Sequence, residues 1–203
     1  MKKSFIGVLA AISIIAYSCG DNASTTQKEE HASEAHAATE ENAEVKVVKA
    51  SFTNVDAAVA GHIKKLTDNY LLIKNALTNA KPAEAGDAAN KITAAIKGFD
   101  KSLLSADQKK VYDQQEENLK TTAEHIAKST GDLEHQREQF SIMSESLYTM
   151  VKAFGGGKTL YHDHCPMAKD GKGAMWLSET KAIRNPYFGD KMMECGSVEE
   201  EIQ

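Results

Sequence analysis

From Asn54 onward the apolar positions of this chain recur at every third or fourth residue. Val55, Val59, Ile63, Leu66, Tyr70, Ile73 and Leu77 make one stripe, which is the spacing of a single face of an α-helix. Asn79-Ala80-Lys81-Pro82 interrupts it. A proline suits the first turn of a helix, where its missing N–H costs nothing, so a second helix is expected from Pro82 through Ala85, Ala88, Ala89, Ile92, Ala95, Ile96 and Phe99. Its alanine-rich face predicts close helix approach. Ser105 followed by Gln108 has the spacing of a capping box and opens a third helix with an inward face of Val111, Tyr112, Leu119, Ala123 and Ile126. Gly131 and Asp132 end that helix and cap a fourth, marked by Leu133, Gln136, Phe140, Met143, Leu147, Met150 and Phe154 and stopped by Gly155-Gly156-Gly157.

Four such helices joined by short connections predict an all-α protein, an up-down four-helix bundle. The remaining segment, 159–196, has no long periodicity and is expected to be irregular, loop-rich and packed against the bundle, with Met175-Trp176-Leu177 as its apolar anchor. Asn185-Pro186-Tyr187-Phe188-Gly189 reads as a packed turn, with Arg184 beside it to pair with a helix carboxylate. His62, Gln115 and Gln136 fall near the stripes and are expected as satisfied interior or boundary groups. The run Gly156-Gly157-Lys158-Thr159 is not a nucleotide loop. A phosphate loop needs glycine where Lys152 stands, and it follows a strand.

The N-terminus changes the picture of where this domain works. Met1-Lys2-Lys3, an apolar run from Phe5 to Ala16, and Ala16-Tyr17-Ser18-Cys19-Gly20 compose a secretory signal over residues 1–19. The apolar run is too short for a helix that must cross about 30 Å of hydrocarbon. A cysteine at the cleavage point resembles a bacterial lipobox, so Cys19 is the expected lipidation site. The lipid would anchor the protein to a membrane of the bacterial envelope, in the periplasm or at the outer-membrane surface. Residues 20–50 carry too little apolar surface to offset the entropy of ordering and are expected to be a disordered tether, in which His31 and His36 are solvated. The domain proper is then 51–203. The formal charge of −5 becomes −7 once the two lysines of the signal are removed, and an acidic chain without a basic face excludes nucleic acid as a partner.

Candidate chemistry is concentrated between Tyr161 and Gly196, where two Cys, two His, four Met and the single Trp fall within 36 residues. Thiolate and thioether sulfur select Cu(I) over hard, oxygen-seeking ions. Cys165, Met167 and Cys195 are the expected ligands of copper(I), with His162, His164, Met192 or Met193 completing the shell; silver and zinc are the other ions that such donors suit. An even pair of cysteines outside the cytoplasm also fits a disulfide, which would close a loop of about 30 residues and contribute about 3 to 4 kcal/mol. No catalyst is expected. A cysteine nucleophile needs a base in reach, and His164 is the sequence neighbour of Cys165, where strand side chains point apart.

Cys165-Pro166-Met167, Gly171-Lys172-Gly173-Ala174, Trp176-Leu177-Ser178, Arg184-Asn185-Pro186-Tyr187-Phe188-Gly189 and Cys195-Gly196 together resemble the C-terminal signature of a family of uncharacterised secreted and lipid-anchored bacterial proteins. Similar domains occur fused to periplasmic adaptor subunits of copper and silver efflux pumps. The Tyr-x-x-x-Cys-Pro-Met element, with His162-Asp163-His164 in the gap, is similar to the short heavy-metal-binding modules of such adaptors, and Gln136-Arg137 and Phe140 extend the likeness to the fourth helix. The resemblance implies heavy-metal handling. The expected function is therefore a periplasmic Cu(I) or Ag(I) buffer or chaperone working with an efflux adaptor or another envelope protein. The competing expectation is a disulfide-stapled envelope interaction module with no metal role.

Overall fold

The structure, a computed structural model, describes residues 45–203. The expected signal peptide, lipidated Cys19, the tether up to residue 44, and His31 and His36 lie outside the described residues. The four expected helices are present as α1 (Ala57–Thr78), α2 (Pro82–Lys97), α3 (Ala106–Lys128) and α4 (Leu133–Phe154). Local chemistry sets their ends. Asp56 caps α1 by accepting from the Ala58 N–H at 2.7 Å, Ser105 and Gln108 form the reciprocal capping box of α3, and Asp132 accepts from the His135 N–H at 3.0 Å. Gly155, at φ 83°, ends α4 in a conformation that a side chain would resist.

Each helix packs on the next in sequence, and α4 returns to α1, so the four close into a ring. The stripe residues fill its centre: Val59, Ile63, Leu66, Tyr70, Ile73 and Leu77 are buried, facing Ile92, Tyr112, Leu119, Phe140, Met143 and Met150. Each such side chain contributes about 1.5–3 kcal/mol relative to leaving it in water. His62 is the satisfied interior group that its position implies, stacked on Phe99 at 3.8 Å between ring centroids and hydrogen-bonded to the Tyr112 hydroxyl at 2.8 Å. No helix among the described residues is long and apolar enough to cross a membrane.

The all-α expectation does not hold. The segment expected to be loop-rich instead builds a four-stranded mixed sheet from β1 (Lys46–Val48), β2 (Leu160–Cys165), β3 (Ala174–Ser178) and β4 (Ser197–Ile202), in the order β1-β4-β2-β3. The hairpin β2–β3 is antiparallel, β4 adds antiparallel to β2, and β1 lies parallel to β4 with Val47 opposite Glu201. Thus the last residues of the stretch expected as tether are strand. The pattern hid these elements for a physical reason. β4 reads Ser-Val-Glu-Glu-Glu-Ile and β1 Lys-Val-Val, so neither alternates cleanly, and in a sheet buried on more than one side polar residues such as His162 and Asp163 sit as deep as apolar ones.

The sheet is tied to the bundle by named contacts. The Tyr70 hydroxyl of α1 accepts from the Leu177 N–H at 3.0 Å and bonds the Ser144 hydroxyl of α4 at 2.7 Å. Trp176 and Leu177 are buried, as expected of the anchor. Arg184 does not make the expected cross-link; its carbonyl accepts from the Thr78 hydroxyl at 3.5 Å. Arg137 of α4 bridges instead, donating to the carbonyls of Pro186 at 2.9 Å and Leu77 at 3.1 Å.

Candidate metal centre

β2 delivers Cys165 to the end of the sheet, fully buried beside its cross-strand partner Ala174. Cys195 arrives from the opposite end of the segment, one residue before Gly196 and two before β4, and is half-buried. The two thiols are free, and they lie near enough for each to bear on the other's protonation. The Cys165 side chain is the main cause holding the Cys195 thiol above its ordinary pKa, with burial adding to it and the Met167 backbone N–H, aimed at the sulfur, pulling the other way. Cysteines separated by thirty positions in the chain therefore come together at one end of the sheet.

Several features hold them there. Gly196 has φ 140°, and a Cβ on it would stand 2.9 Å from the His164 carbonyl oxygen and 2.9 Å from the Trp176 ring, so only glycine lets the chain leave Cys195 this close to β2. Asn185, fully buried, donates from Nδ2 to the Cys195 carbonyl at 2.8 Å, while its Oδ1 accepts from the N–H groups of Tyr187 at 2.8 Å and Phe188 at 3.2 Å. The packed turn from Asn185 to Gly189 is thus the brace of the Cys195 loop. Sequence reading assigned that turn only to packing; the Asn-Pro pair, an Asx-turn former, was the signal available.

The other expected ligands divide. Met167 follows Cys165 by two residues and is 54% exposed, with its side chain along a groove of about 590 Å³ that Ile142, Arg137, Tyr187 and Phe188 also line. Met192 and Met193 are half-buried in the turn before Cys195, and it is their carbonyls that bond the loop, to the N–H groups of Cys195 at 3.2 Å and Asn185 at 2.8 Å. His162 and His164 share the strand face opposite to that of Cys165. Their common partner is Glu199, which faces His162 Nδ1 at 3.5 Å and His164 Nδ1 at 3.4 Å. His162 also stacks on Tyr148 at 4.4 Å between centroids, and burial lowers its pKa against the pull of Glu199 and Glu200. Among the described residues no three of His, Cys, Asp and Glu are arranged to hold one ion.

The donors that remain are therefore two thiols, with the exposed thioether of Met167 two residues along the chain from Cys165. That suits an ion content with two or three soft ligands and suits tetrahedral zinc poorly, since zinc completes four positions from nitrogen, thiolate or carboxylate. The structure also buries two titratable side chains, Asp163 of β2 and Lys74 of α1. Asp163 has neither carboxylate oxygen in a well-formed hydrogen bond, and burial pushes its pKa up to about 8 against the attraction of Lys74. Lys74 of α1 is likewise buried, its pKa lowered first by that burial.

Residues 66–159, from the middle of α1 to the residue before β2, match a family described as "Protein of unknown function (DUF3347)". No curated protein and no solved structure matches the chain. The family match takes in the later part of α1 and all of α2, α3 and α4, and stops short of the two cysteines.

Proposed function

We propose that the C-terminal sheet module is a capture site for Cu(I) or Ag(I), using the Cys165 and Cys195 thiolates with the Met167 thioether, and that the protein buffers the ion in the bacterial envelope or passes it to an efflux adaptor. The observation that carries this reading is the approach of two free thiols, with the chain at Gly196 packed against the His164 carbonyl next to Cys165 and one thiol half-open to solvent. Binding displaces the thiol protons, because thiolate and not thiol is the ligand. The exposed thioether of Met167, two residues after Cys165, would give an incoming or outgoing ion a weak third ligand, which permits transfer by ligand exchange without release into water. The resemblance of the segment to modules of efflux adaptors and the export signal at the N-terminus support the same assignment. The lipid anchor at Cys19 belongs to this proposal.

The same approach of the thiols supports a second reading, a disulfide that staples an envelope interaction module. Thiol counting under non-reducing conditions, followed by Cu(I) titration against a competing chelator, separates the two. Metal capture predicts two free thiols per mature chain that disappear as one Cu(I) is bound, and a Cys165→Ser protein with intact helices and copper affinity reduced at least about a hundredfold, the scale on which loss of one of two or three ligands is felt. An absence of free thiols, or a Cys165→Ser affinity equal to that of the parent, removes the proposal.

A further inference from the structure

Thirty or more positions before the first of the two thiols, the α3–α4 turn brings two imidazoles together. His125 stands in the last turn of α3 and His135 in the first turn of α4, with His125 Nδ1 3.4 Å from His135 Nε2 and ring centroids 5.6 Å apart. His125 is exposed and His135 half-buried, so the gap between the nitrogens opens to solvent. Neither histidine packs into the core.

The rings are held by their neighbours. Gln136, the residue after His135, is fully buried and donates from Nε2 to the carbonyl of Ile126, the residue after His125, at 2.8 Å, and to the Pro82 carbonyl at 3.0 Å. Asp132 fixes the backbone of His135 by accepting its N–H at 3.0 Å. The relative register of positions 125 and 135 is thus set by a buried amide beneath them and does not depend on the rings themselves. On the outer side, Glu138 Oε2 faces His135 Nδ1 at 3.5 Å, where a carboxylate selects the tautomer that keeps the proton on Nδ1 and leaves Nε2 with its lone pair toward His125.

Two nitrogens bound to one tetrahedral ion at about 2.0–2.1 Å stand about 3.4 Å apart. The His125 Nδ1–His135 Nε2 separation of 3.4 Å, within hydrogen-bonding range in the ion-free protein, already has that value. We propose that His125 and His135 form a two-imidazole site for a divalent transition-metal ion of borderline softness, Zn(II) being the test ion, with water in the remaining positions and Glu138 as the positioning carboxylate behind His135. It differs in chemistry from the thiol pair, which selects a soft monovalent ion, and it stands whether or not the thiol reading does. Because the ion would bridge α3 and α4, it stabilises the turn between them, which lies within the family-matched region.

The experiment is Zn(II) titration by calorimetry, with thermal unfolding, on the full mature chain carrying Cys165→Ser and Cys195→Ser so that sulfur cannot contribute. One zinc per chain and a zinc-dependent rise in melting temperature are expected. His125→Ala and His135→Ala should each weaken binding at least about tenfold and abolish the rise; Glu138→Gln should weaken it about tenfold, the usual scale for a carboxylate behind a ligating histidine. A His31→Ala, His36→Ala chain should bind as the parent does. Equal zinc affinity in parent, His125→Ala and His135→Ala overturns the proposal, as does binding that is lost only with His31 and His36. If the serine chain does not fold, imidazole NMR resonances of the native-cysteine chain give the same decision: His125 and His135 must both shift on zinc addition, and an unmoved pair rejects the site.

Discussion

The bundle and the sheet module handle the same residue type in opposite ways. His62 in the bundle and His162 in the module are both buried and both stacked on an aromatic ring, Phe99 in one case and Tyr148 in the other. His62 has its hydrogen bond to Tyr112, whereas His162 Nδ1 lacks a well-formed one, as do both oxygens of Asp163 and the Trp176 indole N–H on the paired strands β2 and β3. Polar atoms buried without full partners are costly and persist where something other than stability keeps them. The bundle has such atoms too, Gln136 Oε1 and Ser141 Oγ on α4, but those of the module fall together on the paired strands β2 and β3, and the difference teaches that the strands behind the dithiol concentrate polar groups which folding alone does not require.

The sharpest break in that comparison is Trp176→Ala. Trp176 is fully buried behind Gly196 and edge-on to Tyr187 at 6.0 Å, and its loss is expected to cost about 3–5 kcal/mol. Denaturant unfolding should show that loss, and thiol reactivity should rise at Cys165 while the far-UV helical signal at 25 °C stays near that of the parent; a coincident collapse of helix and thiol protection would mean that bundle and module form one cooperative unit. The next effect lies in the bundle. Burial, with Lys65 adding to it, lowers the pKa of His62 from 6.5 to about 4, so between those values the unfolded chain binds a proton that the folded chain does not. Stability therefore falls as pH drops from about 6.5 toward about 4, by up to roughly 3 kcal/mol for this group. Chemical denaturation across that range, compared with His62→Gln, should show the slope reduced in the variant; an unchanged slope assigns the acid sensitivity elsewhere. The smallest effect concerns the brace. Asn185→Ala leaves the Cys195 carbonyl without its donor and should cost about 1–3 kcal/mol, with faster amide exchange in residues 192–196 and weaker Cu(I) binding. Unaltered copper affinity in a folded Asn185→Ala chain would show that the loop needs no brace to present its sulfur.

How much was legible follows residue by residue. The Ser105–Gln108 box, the Pro82 start and the Val59-to-Leu77 stripe could be read because each is a relation between residues three or four apart, which helix geometry makes local. The strands could not, because β1 becomes a strand only by pairing with β4 at the other end of the described chain, as Lys46 and Glu200 do at 3.3 Å, and β4 only by pairing with β1 and β2. Among the site residues, the softness of Cys165, Met167 and Cys195 is a property of the atoms and was visible. That His162 and His164 turn away toward Glu199 depends on strand alternation and on the irregular register of β4 opposite His162 and Asp163, neither of which the sequence displays. The His125–His135 pair escaped notice because ten positions separate two residues on different helices.

The amino-acid order by itself determined four amphipathic helices, their caps and breaks, and a final segment rich in soft donors, since these rest on short-range periodicity and on the chemistry of single side chains. Tertiary structure alone decided that this segment is a sheet, that Cys165 and Cys195 come together, and which histidines share a partner. Such contacts join residues far apart in the chain, and they are set by the total of burial and pairing over the whole fold, a quantity that no local pattern contains.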